Sequence, residues 1–136
     1  MIAGIGIDIV QIKRMERWLD NPKLLERFFH AQEIASIHSF AAGAGKRKRP
    51  AEALAARFAA KEAFSKALGT GLAGISIKDI VIANNENGKP FLKLFGTAQK
   101  ALEESGAGRV HLSLSHEKDY AAAVVILETL PHGEDK

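Results

Sequence analysis

The chain contains no cysteine. Disulfides, thiolate metal sites and thiol nucleophiles are therefore excluded. Aromatic residues are sparse, with a single tryptophan, Trp18, and a single tyrosine, Tyr120. A platform that stacks the bases of a single-stranded nucleic acid needs several aromatics in series, and neither of these accompanies the basic run described below. No apolar run approaches the length of a membrane span. The N-terminal stretch MIAGIGIDIV is apolar, but it lacks a basic start and a small-residue cleavage site, so it reads as a strand and not a leader. A cytoplasmic location without membrane association is expected. There is no HExxH and no histidine pair at helical spacing, which argues against zinc. GIGIDIV lacks the third glycine of a dinucleotide fingerprint, and GTGLAG lacks the G-K-[ST] ending of a phosphate loop and follows a helix instead of opening one.

What is present points to one compact domain over residues 1–136, with 46% apolar residues to build its core. The net charge is +3, and Lys46-Arg47-Lys48-Arg49 supplies much of the excess. A mildly basic surface suits an anionic partner: a nucleotide, a nucleic acid or an acidic protein. By itself the run reads as a solvated loop.

Residues 2–10 form a strand with two unequal faces. Ala3, Ile5, Ile7 and Ile9 make an ordinary core face, while Gly4, Gly6, Asp8 and Val10 present bare backbone and one carboxylate. Glycine in a strand marks a place where something comes close to the backbone. Short helices are predicted over 11–19, over 22–29 with Asn21-Pro22 as cap and first residue, and over 31–40. AAGAGKRKRP is a loop by composition. A long helix over 51–68 ends at Gly69. A hairpin follows, with its turn over Asn84 to Gly88. A helix over 97–105 is capped by Thr97 and stopped by Gly106. A second hairpin turns near Glu117-Lys118, and its strand Tyr120–Leu127, apolar on both faces, belongs in the middle of a sheet. The tail PHGEDK is frayed. The fold class is α+β: a small, mostly antiparallel sheet with one long helix and several short ones packed on it.

Glu62 interrupts the apolar stripe Leu54–Phe58–Glu62 of the long helix. It is either the (i, i+4) partner of Lys66, worth a few tenths of a kcal/mol, or a carboxylate delivered into a cleft where the helix leaves the core. Asp8 either pairs with Lys13 or Arg14, or meets Glu62. Two carboxylates that meet suit a hard dication such as Mg²⁺, which completes its shell with water and phosphate oxygens; without it they repel, and one keeps a proton. His116 closes a small polar cluster with His111, Ser113 and Ser115 at a strand end.

Three pieces, GIGIDIVQIKR, RFAAKEAFSKALGTG and SLSHEKDYAAAVVI, resemble in order and spacing the holo-[acyl-carrier-protein] synthases, the small 4′-phosphopantetheinyl transferases. The resemblance covers essentially the whole chain. It implies transfer of the 4′-phosphopantetheine arm of coenzyme A to a serine of apo acyl carrier protein, with Mg²⁺, in a homotrimer with interfacial active sites. It implies that Asp8 and Glu62 hold the metal, that Lys66 contacts the pyrophosphate, and that His116 lies near the reacting phosphates. By the same resemblance Lys46 and Arg47 lie near the 3′-phosphate. Gly69, Thr70 and Gly71, together with Gly88, Lys89 and Pro90, line the nucleotide site, and Arg14 faces the carrier. Lys66 and His116 count with Glu62 as catalytic; the general base is Glu62, directly or through a metal-bound water, or His116. The other readings are a Mg²⁺-dependent pyrophosphate-cleaving enzyme that keeps Asp8 and Glu62, and a basic nucleic-acid module that leaves Glu62 unexplained.

Overall fold

The computed structural model describes residues 1–41 and 49–131. The strand β1 (Ile2–Gln11) runs directly into α1 (Ile12–Leu19), which is followed by α2 (Pro22–Phe28) and α3 (Ala31–Ala41). The long helix α4 (Pro50–Leu68) precedes a single 3-10 turn at Ile77–Asp79 and the hairpin β2 (Ile80–Asn84) and β3 (Pro90–Leu94). Then come α5 (Gly96–Glu104) and the hairpin β4 (Arg109–His116) and β5 (Tyr120–Glu128). The α+β class holds, with all ladders antiparallel: β5 is central in the order β1-β5-β4, and β2 pairs with β3 in a sheet of its own. Among the described residues no helix is long and apolar enough to cross a membrane.

The local signals act where the residues predict. Asn21 caps α2 by accepting the Leu24 N–H at 3.2 Å, with Pro22 as first helical residue. Gly69 closes α4 at φ 81°, a conformation in which glycine has no steric cost. The first hairpin turns through Asn85–Lys89. Thr97 is not the cap of α5. Phe95 holds that position, and Thr97, inside the first turn, offers its N–H and hydroxyl to the Asp79 carboxylate at 2.8 and 2.6 Å. Of the expected frayed tail, residues 132–136 lie outside the described residues.

The assignment of the two faces of β1 is the main correction. Ile5, Ile7 and Ile9 are 64%, 63% and 65% exposed. The core face is the glycine face, and what comes close to it is α4. A Cβ on Gly4 would stand 2.0 Å from the Ala67 carbonyl oxygen, and one on Gly6 equally close to that of Ala63. Strand and helix therefore touch backbone to backbone, which small residues on both sides permit. Around this seam Val10, Ala123 and Val125 of the sheet bury against Ala59, Ala60, Ala63 and Phe64 of α4. The outer face is left with a continuous apolar strip, because Ile5, Ile7 and Ile9 are in register with Ile126, Val124 and Ala122 of β5.

Candidate active site

The backbone seam delivers the functional groups. Two residues beyond Gly6, the same face of β1 carries Asp8, and one helical turn beyond Ala63 lies Ala67, flanked by Lys66. The Lys66 Nζ donates to Asp8 Oδ1 at 2.9 Å and to the Ile7 carbonyl at 3.1 Å. Neither simple pairing considered from the residues forms: among the described ion pairs Lys66 binds Asp8 and not Glu62, and Asp8 binds neither Lys13 nor Arg14. Glu62, one turn before Lys66, is half-buried. Burial pushes its carboxyl up from the ordinary carboxylate range, and the nearby negative charge of Asp8 adds to the effect, while Lys66 and Arg14 oppose it.

This electrostatic pattern, two carboxylates that disfavour each other with a cation lodged against one of them, fits a hard dication. The donors are oxygens, and there are only two carboxylates: among the described residues no group of three His, Cys, Asp or Glu side chains forms a closed metal cage. That composition leaves most of the coordination shell to water and phosphate, as Mg²⁺ prefers.

His116 does not join this group within the chain. Its Nδ1 lies 3.4 Å from Glu52 Oε2 in the first turn of α4, and Arg49 reaches the same oxygen at 3.4 Å. Glu52 and Glu62 are ten residues apart on one helix, so His116 sits about 15 Å along the axis from the carboxylate pair. Around it a pocket of about 280 Å³ is lined by Arg49, Glu52, Arg57, Asn84, Pro90 and His116, so its cations outnumber its one carboxylate. Pro90 belongs to the expected nucleotide-lining segment; Gly88, at φ 83°, and Lys89 shape the turn that presents it. Thr70 lies instead at the other end of α4, with Gly69 and Gly71 beside it, in a separate cavity of about 530 Å³ against α5. Lys46 and Arg47 lie outside the described residues.

Three buried charged groups, Arg57, Lys61 and Glu33, escaped the sequence reading. Arg57 is buried within α4; its guanidinium donates to the Ala53 carbonyl and the Ser36 hydroxyl, each at 3.3 Å. Burial pulls its pKa down, against the attraction of Glu33. Its signal was available as an arginine set among alanines one turn before Lys61. Lys61 is itself wholly buried against Glu33. Arg14, at the surface of α1, places its guanidinium 5.5 Å from the centre of the Phe58 ring. Phe58 packs edge-on with Trp18 and Phe28, and Arg27 lies over the Phe28 ring at 5.6 Å.

Residues 4–125 match the family model of the 4′-phosphopantetheinyl transferase superfamily. The chain is 59% identical to the holo-[acyl-carrier-protein] synthase of Treponema denticola, over 94% of this chain and 99% of that one. Its fold superposes on the crystal structure of the holo-[acyl-carrier-protein] synthase of Neisseria meningitidis with a TM-score of 0.81 at 38% identity, covering 95% and 100% of the two chains. The enzyme of Bacillus anthracis, solved in complex with coenzyme A (3′,5′-ADP), gives a TM-score of 0.73 at 41% identity, covering 96% and 99%. With the carboxylate pair, the basic pocket and the fold in place, the chain belongs to the 4′-phosphopantetheinyl transferase superfamily and, within it, to the holo-[acyl-carrier-protein] synthases.

Proposed function

We propose that the chain transfers 4′-phosphopantetheine from coenzyme A to a serine hydroxyl of an apo acyl carrier protein and releases adenosine 3′,5′-bisphosphate. The observation that carries this reading is the bond from Lys66, in the last turn of α4, to Asp8 of β1, with Glu62 one turn earlier and near enough to feel the Asp8 charge. Such a transfer breaks a diphosphate, and charge builds on the leaving phosphate as it departs. Asp8 and Glu62 would hold a Mg²⁺, which would neutralise that charge and polarise the phosphoryl oxygens. Lys66 adds a second positive charge from the last turn of α4. Glu62, directly or through a metal-bound water, would take the serine proton as general base. The nucleophile comes from the partner, so the chain needs none of its own.

The two halves of the site lie on opposite edges of the sheet. Asp8 is on edge strand β1, and His116 with its basic pocket is on edge strand β4. A head-to-tail ring brings the β1 edge of one copy to the β4 edge of the next, and the strip of Ile5, Ile7, Ile9, Val124 and Ile126 turns toward the axis and is buried. A ring of three copies is what the family resemblance implies. In that arrangement Arg49, Arg57, His116 and Pro90 hold the nucleotide end of coenzyme A while Asp8, Glu62 and Lys66 of the neighbouring copy hold its diphosphate. The carrier approaches over α1, where Arg14 stands close enough to Glu62 to influence its ionisation, so an acidic partner docked on Arg14 brings its serine to the carboxylates.

The direct test is an intact-mass assay with coenzyme A, Mg²⁺ and an apo acyl carrier protein. The carrier gains the mass of one phosphopantetheine with the natural chain and none with Asp8→Ala. No gain with any of several carriers would overturn the proposal.

A further inference from the structure

Lys66, expected to contact the diphosphate, is engaged with the β1 carboxylate expected to hold the metal. Its ammonium is bonded to Asp8 Oδ1 and to the Ile7 carbonyl, two acceptors on neighbouring residues of β1. Among the described hydrogen bonds this is the only one that the Asp8 carboxylate accepts. The Asp8 side chain is 17% exposed and that of Lys66 54%. The carboxylate is thus sheltered and fixed by its strand, whereas the lysine stem lies largely in solvent and can swing without repacking the core. An ammonium in contact with a carboxylate and a dication on the same group repel each other strongly at such range. A dication on this carboxylate therefore loosens the ammonium, and the partner free to move is the lysine.

We infer that Lys66 is an internal latch on Asp8: it occupies the carboxylate in the free enzyme and is released toward the diphosphate when a dication takes its place. This rests on the reading of Asp8 as a metal ligand given above. The latch makes metal entry and capture of the substrate phosphates a coupled event. A free ammonium is created next to the metal only once the metal is bound. By linkage, a diphosphate that engages Lys66 raises metal affinity by the same factor by which metal raises affinity for the diphosphate. The latch is weak enough to open, since a pair this exposed holds its partners by no more than about fivefold in an equilibrium constant.

The test uses the whole protein without coenzyme A. Binding of Mn²⁺ is titrated by electron paramagnetic resonance for the natural chain, for Lys66→Met and for Lys13→Met, which removes an exposed positive charge of α1 but no bond to Asp8. The expected result is binding up to about fivefold tighter in Lys66→Met, with a clearly smaller change in Lys13→Met. In parallel, Mg²⁺ is added to protein with ¹³C-labelled lysine. The Lys66 Cε signal shifts as the site fills, and it does not shift in Asp8→Asn. Equal effects of the two lysine variants, no tightening, no dication binding by any of the proteins, or a Lys66 signal unmoved at saturation would each overturn the latch. Phosphopantetheine transfer by the natural chain together with any of these results leaves the proposed function standing and removes only the latch.

Discussion

Lys61 and Glu33 form an ion pair at 2.7 Å in which neither side chain has any exposure to solvent. The Lys61 ammonium also donates to the carbonyls of Ile77, at 3.2 Å, and Ile80, so all three of its protons are used. Glu33 accepts the N–H groups of His30 and Ile82. The pair thus ties α3, α4 and the start of β2 at one buried point. Removing one partner strands the other charge in the core. Lys61→Met should cost about 3–5 kcal/mol in urea unfolding, whereas Lys61→Met combined with Glu33→Leu should recover much of that loss. Equal stability of the single and double variants would show that the carboxylate is not stranded.

Gly6→Ala places a methyl group where the Ala63 carbonyl oxygen already stands, 2.0 Å away. Backbone cannot rotate aside as a side chain does, so β1 must move off α4. The expected loss is about 1–3 kcal/mol or more, read as a lower melting temperature. Asp8, two residues on, moves with the strand, so Mn²⁺ binding should weaken as well. Substituting Ile5, on the opposite face, by valine should change neither.

Ile7 is 63% exposed in the middle of the outer apolar strip. A charge there should not disturb the chain's own core, but it would lie buried at the axis of a ring. Ile7→Glu should therefore lower the sedimentation mass from that of an assembly to that of one chain while leaving the circular dichroism spectrum of the fold intact. Mass unchanged from the natural protein would place the interface elsewhere.

Glu62 carries a raised carboxyl pKa in the folded chain. Between the ordinary carboxylate value and this raised one, the folded protein keeps a proton that the unfolded chain has released. The associated stability is complete below the ordinary value and is lost as pH rises through the folded one. In the presence of a chelator, Glu62→Gln should remove that decline, and the melting temperatures of variant and natural chain should diverge as pH rises from 4 to 7. Parallel curves would count against the shift.

The order of elements, the Asn21 cap, the Gly69 stop and the central place of β5 were legible because each has a local cause, whereas Thr97, read as the cap of α5, is drawn inside its first turn by Asp79. The faces of β1 were not legible in the same way. Alternation separates Ile5, Ile7 and Ile9 from Gly4, Gly6 and Asp8, but it does not say which set meets the core, and a glycine face has no side chains to announce its burial. The glycines did announce close approach, and the approaching body proved to be α4 itself. Glu62 drew attention as a charge in an apolar stripe, yet its neighbour Lys61 is the more deeply buried. On a helix clad in alanine almost all round, the period of the pattern cannot rank two adjacent charges. Arg57 and Glu33 were missed for the same reason: their burial depends on which helix lands on which, and that lies in the tertiary packing. The separation of His116 from Asp8 follows from the strand order, which local pattern does not encode.

The pairing of the first strand with the last has a consequence for how the protein is made. Ile2 lies opposite Glu128, and the Thr129 N–H closes the ladder on the Met1 carbonyl at 2.8 Å. During synthesis β1 leaves the ribosome before the other elements and must wait for all of them before its hydrogen-bonding neighbour β5 emerges, on the order of 10 s at ordinary translation rates. In that interval its isoleucines and its unpaired edge are both open to other chains. The glycine seam offers β1 an earlier shelter, because α4 is complete well before β5 and can cover one face of the strand as soon as it forms. A nascent chain stalled once α4 has cleared the exit tunnel should already protect that face, while the outer isoleucines stay available to the chaperones that meet growing polypeptides.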